Sequence, residues 1–421
     1  MSELTLLVVG GGGREHAITW SLAKSSKVGK IYVAPGNAGT SAIAENVAIP
    51  ADAVTELVQF TQDNVIDLVV VGPEVPLALG LVDALNEKGI RAFGPTQAGA
   101  QIEASKAFSK VFMRDHNIPT AEYASFEDYE SAVAYVKEQN CPLVVKADGL
   151  AAGKGVIICK SPDEALKALQ DMMVDDSFSG AGNTVVIEEF MTGPEVSVLA
   201  FTDGKTVVTM PPARDHKRVY DNNEGPNTGG MGAFTPPPDV SPELIEEITN
   251  TVLQPAVDGM AKQGTPYVGV LYAGLMLTEN GIRNLEFNCR FGDPETQVIL
   301  PLLETDLVDI MQACIDGTLD SLEVQWKSGA CATVVAASGG YPAKYPKGLV
   351  ISGLDDVTDQ IVFHAGTASN DNDEVVASGG RVLAVSAIGY DLDSALDNAY
   401  VGLKKISFDG MHYRTDIGRV R

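Results

Sequence analysis

The first hundred residues leave little freedom in architecture. Short apolar runs at 4–9, 31–34, 67–71 and 91–93 alternate with helical stretches. Each run ends in a glycine or proline turn: Gly10-Gly11-Gly12-Gly13, Pro35-Gly36-Asn37-Ala38-Gly39, Gly72-Pro73-Glu74 and Gly94-Pro95. Alternation of that kind predicts a parallel sheet with helices on its faces, a Rossmann-like domain over 1–103. Such sheets bind ligands at the carboxyl ends of their strands, where these turns lie. The first turn also leads into Arg14-Glu15-His16-Ala17, the start of a helix, and so aims free backbone N–H groups at an anion. Glycines that merely make tight turns would explain any one of these loops equally well. The dinucleotide fingerprint is not met, because His16 stands where its third glycine belongs and the second strand ends in Pro35-Gly36 rather than an acidic residue. NAD binding is disfavoured.

At 421 residues the chain is long enough for two to four domains. Its 30 basic and 56 acidic residues give a net charge of −26. A surface so acidic repels polyphosphate backbones, which argues against nucleic-acid binding. A small anionic substrate stays possible if the basic residues gather in one cleft. The five cysteines form no Cys-x-x-Cys pair, so neither a zinc site nor a disulfide framework is expected, and a reducing cytoplasm is the natural home. No apolar run approaches the roughly 20 residues that span a bilayer, and Met1-Ser2-Glu3-Leu4 lacks the basic start of a signal peptide. No membrane partner is expected.

The middle of the chain carries the chemistry. Lys106 lies in a helical stretch over 98–116, and Lys146 near the end of a strand over 142–148. The loop Gly149-Leu150-Ala151-Ala152-Gly153-Lys154-Gly155 then leads into a strand at 156–159. Walker A needs four residues between its glycines and Ser or Thr after the lysine, so this is a glycine flap on a hairpin, suited to covering phosphates. A strand over 184–191 contains Glu188, Glu189 and Phe190, with Glu195 after a Gly193-Pro194 turn. A hairpin about Asp203-Gly204 precedes a long irregular segment with the basic cluster Arg214-Asp215-His216-Lys217-Arg218. Ser241 caps a helix reaching to about Lys262. Strands over 268–277 and 282–290 meet at Asn280-Gly281, a hairpin signal. On the second, period-two alternation places Glu286, Asn288 and Arg290 on one face and Leu285, Phe287 and Cys289 on the other. The polar face offers oxygen ligands to a hard divalent cation and a guanidinium to a carboxylate or phosphate. Gly292 and the Asp293-Pro294 turn follow at once, as where a chain folds close to a ligand. Helices over 295–314 and a small α+β domain over 326–421 complete the chain, with strands at 332–337, 362–367 and 378–383 and a helix at 392–404. The central region is placed at 104–325, with a lid over 121–191.

No Gly-x-Ser-x-Gly elbow is present and no cysteine stands beside an obvious base. Metal-type oxygens, phosphate-seeking lysines and no enzyme nucleophile describe phosphoryl transfer by positioning and electrostatic stabilisation. Along essentially its whole length the chain resembles the glycinamide ribonucleotide synthetases (phosphoribosylamine–glycine ligases) of the ATP-grasp superfamily. The resemblance rests on Gly-Gly-Arg-Glu-His-Ala at 12–17, Pro-Gly-Asn-Ala-Gly at 35–39, Lys-Ala-Asp-Gly-Leu-Ala-Ala-Gly-Lys-Gly at 146–155, Asp-His-Lys-Arg at 215–218, Gly-Pro-Asn-Thr-Gly-Gly-Met-Gly at 225–232 and Glu-Phe-Asn-Cys-Arg-Phe-Gly-Asp-Pro-Glu-Thr at 286–296.

That resemblance implies an α/β multidomain fold: a Rossmann-like N-terminal domain, an ATP-grasp centre with the glycine flap in its lid, and the small α+β domain. It implies ATP, glycine and 5-phosphoribosylamine as substrates, Mg2+ or Mn2+ as cofactor, and a glycyl phosphate that the amine attacks. Products would be glycinamide ribonucleotide, ADP and phosphate, a step of purine synthesis. An amine is already nucleophilic, which suits a chain without a dedicated base. By family pattern Lys106 and Lys146 would clamp ATP phosphates and Gly153, Lys154 and Gly155 would close over them. Glu188, Glu189 and Phe190 would line the adenine slot through backbone groups, and Glu195 would take the ribose hydroxyls. Glu286 and Asn288 would hold the metal, and Arg290 would steady the acyl phosphate. Gly12, Arg14, Gly36, Asn37, Gly292 and Asp293, with Asp215 and Lys217, would form the glycine and phosphoribosylamine pockets. One departure stands out: where many superfamily members carry a second metal carboxylate, this chain has Tyr272-Ala273-Gly274-Leu275-Met276. A monomer or weak dimer is expected. Another ATP-grasp ligase or carboxylase, or a nucleotide-binding module without catalysis, are the alternatives.

Overall fold

The computed structural model describes residues 3–150, 155–175 and 181–419. The N-terminal region runs β1 (Leu4–Gly10), α1 (Gly13–Leu22), β2 (Val28–Pro35), β3 (Glu45–Asn46), α2 (Val54–Asp63), β4 (Leu68–Val71), α3 (Glu74–Ala78), α4 (Leu81–Glu87) and β5 (Ala92–Phe93). Its sheet is parallel, in the order β3-β2-β1-β4-β5. Leu6, Leu7, Val8 and Val9 are all wholly buried, as expected of a strand covered on both faces. The chain leaves β1 to one side and returns to its other side at β4. Ligand crevices of such sheets open at this reversal, beside the carboxyl end of β1.

The helix expected over 98–116 is two helices, α5 (Gln97–Ala104) and α6 (Lys106–Asp115). Ser105 is extended between them, and its hydroxyl accepts from the Phe108 N–H at 3.0 Å, capping the second. Lys106 therefore opens a helix instead of riding along one.

A separate layer follows: β6 (Tyr123–Phe126), α7 (Tyr129–Glu138), β7 (Leu143–Ala147), β8 (Val156–Cys159), α8 (Pro162–Leu169) and β9 (Val185–Glu189). The strands form an antiparallel sheet, β6-β9-β7-β8, with its own core about Val145, Ile187, Ala165 and Leu169. Gly153 and Lys154 of the glycine flap lie outside the described residues. Its last glycine, Gly155, accepts from the Ala147 N–H at 2.8 Å.

The central strands are β10 (Glu195–Asp203) and β11 (Val207–Thr209), after which the segment read as irregular contains four short strands. These are β12 (Arg214–Asp215), β13 (Arg218–Tyr220), β14 (Glu224–Asn227) and β15 (Gly232–Thr235). Ser241 accepts from the Leu244 N–H at 3.3 Å at the head of α9 (Pro242–Ile248), which continues through a π turn into α10 (Gln254–Lys262). The hairpin β16 (Val268–Thr278) and β17 (Gly281–Asn288) completes a sheet ordered β11-β10-β16-β17. Its register slips once: Gly274 faces Glu286 while Leu275 faces Asn284. Leu285 is the unpaired residue of a bulge, so it does not share the core face with Phe287 and Cys289. Buried Ile282 and Asn284 hold that face before the bulge.

The remainder comprises α11 (Thr296–Ile299), α12 (Leu307–Asp316), β18 (Ala330–Ala337), β19 (Leu349–Val350), β20 (Ile361–His364), β21 (Thr367–Ser369), β22 (Val375–Ala377), β23 (Arg381–Gly389) and α13 (Leu392–Leu403). Ser378, Gly379 and Gly380, read as the start of a strand, form the turn before β23. The main sheet here is β12-β15-β18-β23-β20. β12 and β15 are thus built into the C-terminal sheet, while β13 and β14 pair with each other in a sheet of their own. Among the described residues no helix is long and apolar enough to cross a membrane.

N- and C-terminal regions meet at two histidines. His16 Nδ1 accepts from the His364 N–H at 2.8 Å, and the rings stand 5.6 Å apart. Burial, reinforced by His364, pushes His16 down to about 3, and burial pushes His364 down to about 4. Both are neutral when folded, whereas the unfolded chain takes up protons below about pH 6.5. Their contribution to stability is present above that pH and is lost as pH falls toward 4. We expect the melting temperature to drop on acidification from about pH 6.5 to about pH 4.5, and less steeply in His16→Asn. Equal slopes in thermal melts of the two proteins would exclude His16 as a source.

Candidate active site

Glu286 is the meeting point of the cleft. Among the described residues its carboxylate has neither a hydrogen bond nor an ion-pair partner, yet it lies in the field of several cations. Desolvation pushes it up, but Lys217, Lys146, Lys106 and Arg290 together hold it below the ordinary carboxylate range. These five residues come from β12–β13, β7, α6 and the β17 turn, so the fold gathers what lies up to 184 positions apart in sequence. Gly274 faces Glu286 across the hairpin, where a Cβ would lie 3.4 Å from the Glu286 Cγ. In an acidic chain, this is the concentration of positive charge that a small anionic substrate needs.

Lys106 Nζ donates to the Gly149 carbonyl at 3.1 Å, at the root of the glycine flap. Asp148 locks that junction, accepting from the Ser105 hydroxyl at 3.1 Å and from the Ala107 N–H at 2.6 Å. Lys146 Nζ stands 2.8 Å from Glu188 Oε1. Glu188 Oε2 faces a further lysine, Lys110, at 3.0 Å. Sequence reasoning missed Lys110, although it falls one helical turn after Lys106 and so on the same side of α6.

Glu188 does not have the expected backbone role. β9 lies between β6 and β7, which pair with Glu188 from both sides, and its buried side chain serves the two lysines. Glu189 binds back to Glu122, its carboxylate accepting from that N–H at 3.0 Å. Phe190, just beyond the last ladder pair and 37% exposed, is where free backbone begins. Glu195 Oε2 accepts from Lys217 Nζ at 2.5 Å, a partner the sequence did not suggest. Lys217 Nζ also lies 3.9 Å from Asp215 Oδ1. Burial pushes the Asp215 carboxyl up to about 7; Lys217 opposes this, and Glu295 and Glu195 reinforce it. Of the basic cluster only Lys217 enters the cleft. Arg214 pairs with Asp239 at 2.9 Å, Arg218 donates to the Gly225 carbonyl at 2.7 Å, and burial pushes His216 down to about 4, keeping it neutral.

Arg290 is held by two carboxylates that sequence analysis did not select. Its Nη2 donates to Glu103 Oε1 at 2.8 Å and to Asn288 Oδ1 at 3.0 Å, while Nε donates to Glu74 Oε2 at 3.2 Å. Nη1 reaches the Phe291 carbonyl at 3.3 Å, which leaves one of five N–H groups without a partner in the described residues. Glu74 follows the Gly72-Pro73 turn at the carboxyl end of β4, a position at which ligand contacts are expected.

A second group lies at the carboxyl end of β1. The glycine loop there encloses an internal anion: Glu15 folds back so that Oε2 accepts from the Gly12 N–H at 2.6 Å and Oε1 from Arg14 Nε at 2.6 Å. A Cβ at Gly10 or Gly72 would lie 2.5 Å or 2.2 Å from the Glu15 side chain. The Gly12 N–H is thus already occupied. Arg14 Nη1 donates to the Phe291 carbonyl at 3.1 Å. The Asn37 side chain is committed to backbone as well. Its Nδ2 donates to Gly11 O and His364 O at 3.0 and 2.9 Å, and its Oδ1 accepts from Gly39 N and Thr40 N at 2.8 and 3.1 Å. Gly36 is crowded in turn by the Asn46 side chain. Asp293 Oδ1 accepts from Gln297 Nε2 at 2.8 Å and lies 3.2 Å from Arg381 Nη1, and that nitrogen also donates to the Asp293 carbonyl at 2.9 Å. Arg381, on β23, escaped sequence reasoning because nothing local marks it. Gly292 sits against the Glu295 carboxylate.

The oxygens present suit a hard cation. Glu286 is free and faces the cleft; Asn288 Oδ1 retains a lone pair beside its bond from Arg290. Among the described residues no cluster of three or more His, Cys, Asp or Glu could hold a metal. β16 adds no carboxylate either: Tyr272, opposite Asn288, donates instead to Glu295 Oε1 at 2.8 Å. A magnesium-like ion, which keeps waters and takes substrate phosphates beside one or two protein oxygens, fits such a set.

An antiparallel hairpin beside a lysine-lined cleft, together with a Rossmann-like base, is the architecture of an ATP-grasp enzyme. The sequence matches the phosphoribosylglycinamide synthetase family over all three of its parts: the N domain at residues 4–103, the ATP-grasp (A) domain at 104–296 and the C domain at 331–420. The chain belongs to that family and is an ATP-dependent ligase of purine synthesis. It is 50% identical to phosphoribosylamine–glycine ligase of Vibrio parahaemolyticus, over 99% of this chain and 98% of that one. It is 55% identical to the trifunctional purine biosynthetic protein adenosine-3 of Gallus gallus, matching 98% of this chain but spanning only 42% of that longer protein. The crystal structure of phosphoribosylamine–glycine ligase from Thermotoga maritima superposes with a TM-score of 0.86 at 34% identity, covering 98% of this chain and 100% of that one. The biotin carboxylase domain of Hydrogenobacter thermophilus 2-oxoglutarate carboxylase, at 16% identity and a TM-score of 0.76 over 98% of this chain and 92% of its own, shares the fold alone.

Proposed function

We propose that the chain joins glycine to 5-phosphoribosylamine through glycyl phosphate, with Mg2+ or Mn2+ beside ATP. The convergence of Lys106, Lys146, Lys217 and Arg290 on the unpaired Glu286 is the observation that carries this reading. Lys106 and Lys146 face the ATP phosphates, and Phe190 with the backbone after it borders the base. Glu286 and Asn288 would hold the cation, which would supply positive charge to the phosphate oxygens. The glycine carboxylate oxygen attacks the γ-phosphorus, the bond to the β–γ bridging oxygen breaks, and ADP leaves. Arg290, pinned by Glu74 and Glu103, offers its remaining N–H to the charge that develops. The amine then attacks the acyl carbon, losing a proton, and phosphate departs with the oxygen that came from glycine. Asp215 and Lys217, on the far side of Glu286, are assigned to glycine. Gly12, Arg14, Gly292 and Asp293 border the phosphoribosylamine side, where Gly36 and Asn37 shape the loop without touching the ligand. The molecule acts as a monomer or weak dimer.

The deciding experiment places oxygen-18 in the glycine carboxylate. One labelled oxygen is expected in each released phosphate; unlabelled phosphate would exclude the acyl phosphate. Phosphate release as fast with bicarbonate as with glycine and phosphoribosylamine would favour a carboxylase instead.

A further inference from the structure

We propose that Lys110 is a positioning residue for ATP: it neutralises Glu188 and so leaves the charge of Lys146 available to the triphosphate. The inference rests on the reading that Lys146 faces ATP. Glu188 stands between two lysines of the lid sheet and α6, Lys146 Nζ to Glu188 Oε1 at 2.8 Å and Glu188 Oε2 to Lys110 Nζ at 3.0 Å. The two ends differ. The Lys146 side chain is 8% exposed and borders the cleft, while those of Lys110 and Glu188 are 2% exposed. Lys110 is fixed from behind as well, donating to Thr120 Oγ1 at 2.7 Å, which in turn donates to the Asn284 carbonyl at 2.6 Å.

A buried carboxylate needs a partner, and a cation so held costs desolvation. With one lysine, the pair would be neutral and Lys146 would be drawn away from phosphate. With two, the group carries one net positive charge, expressed at the only end that reaches the cleft. Burial pushes Lys110 down to about 8, against the pull of Glu188, so it is charged at neutral pH. The remaining neighbours do not supply this charge: Lys146 is the cation being freed, Glu286 is acidic, and the Tyr123 ring lies 5.8 Å away. Thr120 ties α6 to β17 through the same lysine, so the arrangement also sets where the lid base meets the central sheet.

The test compares ATP KM and kcat for Lys110→Met, Glu188→Gln and the double variant, with Lys146→Ala beside them. Lys110→Met should raise the ATP KM about tenfold or more with a smaller change in kcat. The double variant, which restores one net positive charge, should recover most of that loss although it removes more native contacts. A purely structural role for Lys110 predicts no recovery. If Lys110→Met does not fold, Lys110→Gln takes its place, since its amide can still donate to Thr120. An ATP KM within about twofold of the parent, or a double variant no better than the single, overturns the proposal. If instead Lys146→Ala leaves the ATP KM unchanged, the reading beneath it fails; if Lys146→Ala loses ATP while Lys110→Met does not, the proposal alone fails.

Discussion

Lys146→Ala should lower kcat/KM for ATP by about 10²–10³-fold while the protein stays folded, because in its proposed place facing the triphosphate its fixed charge is worth a few kcal/mol in a desolvated cleft. The second half of that expectation comes from the structure. Removing a lysine from a buried ion pair ordinarily leaves its carboxylate unpaired, at a cost of about 3–5 kcal/mol. Here Glu188 keeps Lys110 at 3.0 Å, so no buried charge is stranded. What remains is a neutral pair, and the ATP site loses one unit of charge. Arg290→Ala makes the useful contrast. It would leave Glu103 and Glu74 facing each other without their shared cation, and lost activity could not be separated from lost stability. Thermal melts with a steady-state assay check the claim: a melting temperature close to the parent's and a collapsed rate are expected for Lys146→Ala. An unchanged rate would remove Lys146 from the phosphate site.

The parts of this architecture that could be read from sequence are those whose cause is local or periodic. β1, β2, β4 and β5 were legible because strands covered on both faces are apolar throughout and are punctuated by glycine turns, whereas β3, the exposed pair Glu45-Asn46, carries no such signal. The hairpin at Asn280-Gly281 was legible from its turn chemistry. The break at Ser105 could have been read, since a serine cap directly before Lys106 is a helix-start signal that the apolar periodicity outweighed. Leu285 could not, because period-two alternation assumes unbroken pairing and a bulge inverts the faces on one side of it. The motifs located the cleft but not its wiring. Glu188 was marked, yet its use of Lys110 depends on α6 lying under β9; Arg290 was marked, yet Glu74 and Glu103 reach it from more than 180 positions away. Asn37 shows the converse case. A polar side chain in a glycine-rich loop reads as a ligand contact, and in the fold it joins three stretches of backbone.

Glu286→Gln separates metal binding from ATP binding. The substitution keeps shape and removes the one carboxylate at the centre of Lys217, Lys146, Lys106 and Arg290. Two effects of opposite sign follow. With the cation on Glu286 as proposed, the ion would lose an anionic ligand, so the metal concentration for half-maximal activity should rise about tenfold or more. The cleft meanwhile becomes more positive by one unit, so ATP offered with a chelator and no metal should bind at least as tightly as to the parent. A general disturbance of the cleft would weaken both together. The expected pattern is therefore a crossing: metal titrations of the rate shift to higher concentration, while metal-free ATP binding, measured by calorimetry, holds or tightens. A metal titration that superposes on the parent's would place the cation elsewhere, on the phosphates alone, and Glu286 would then be a counter-ion that keeps four cations at one site.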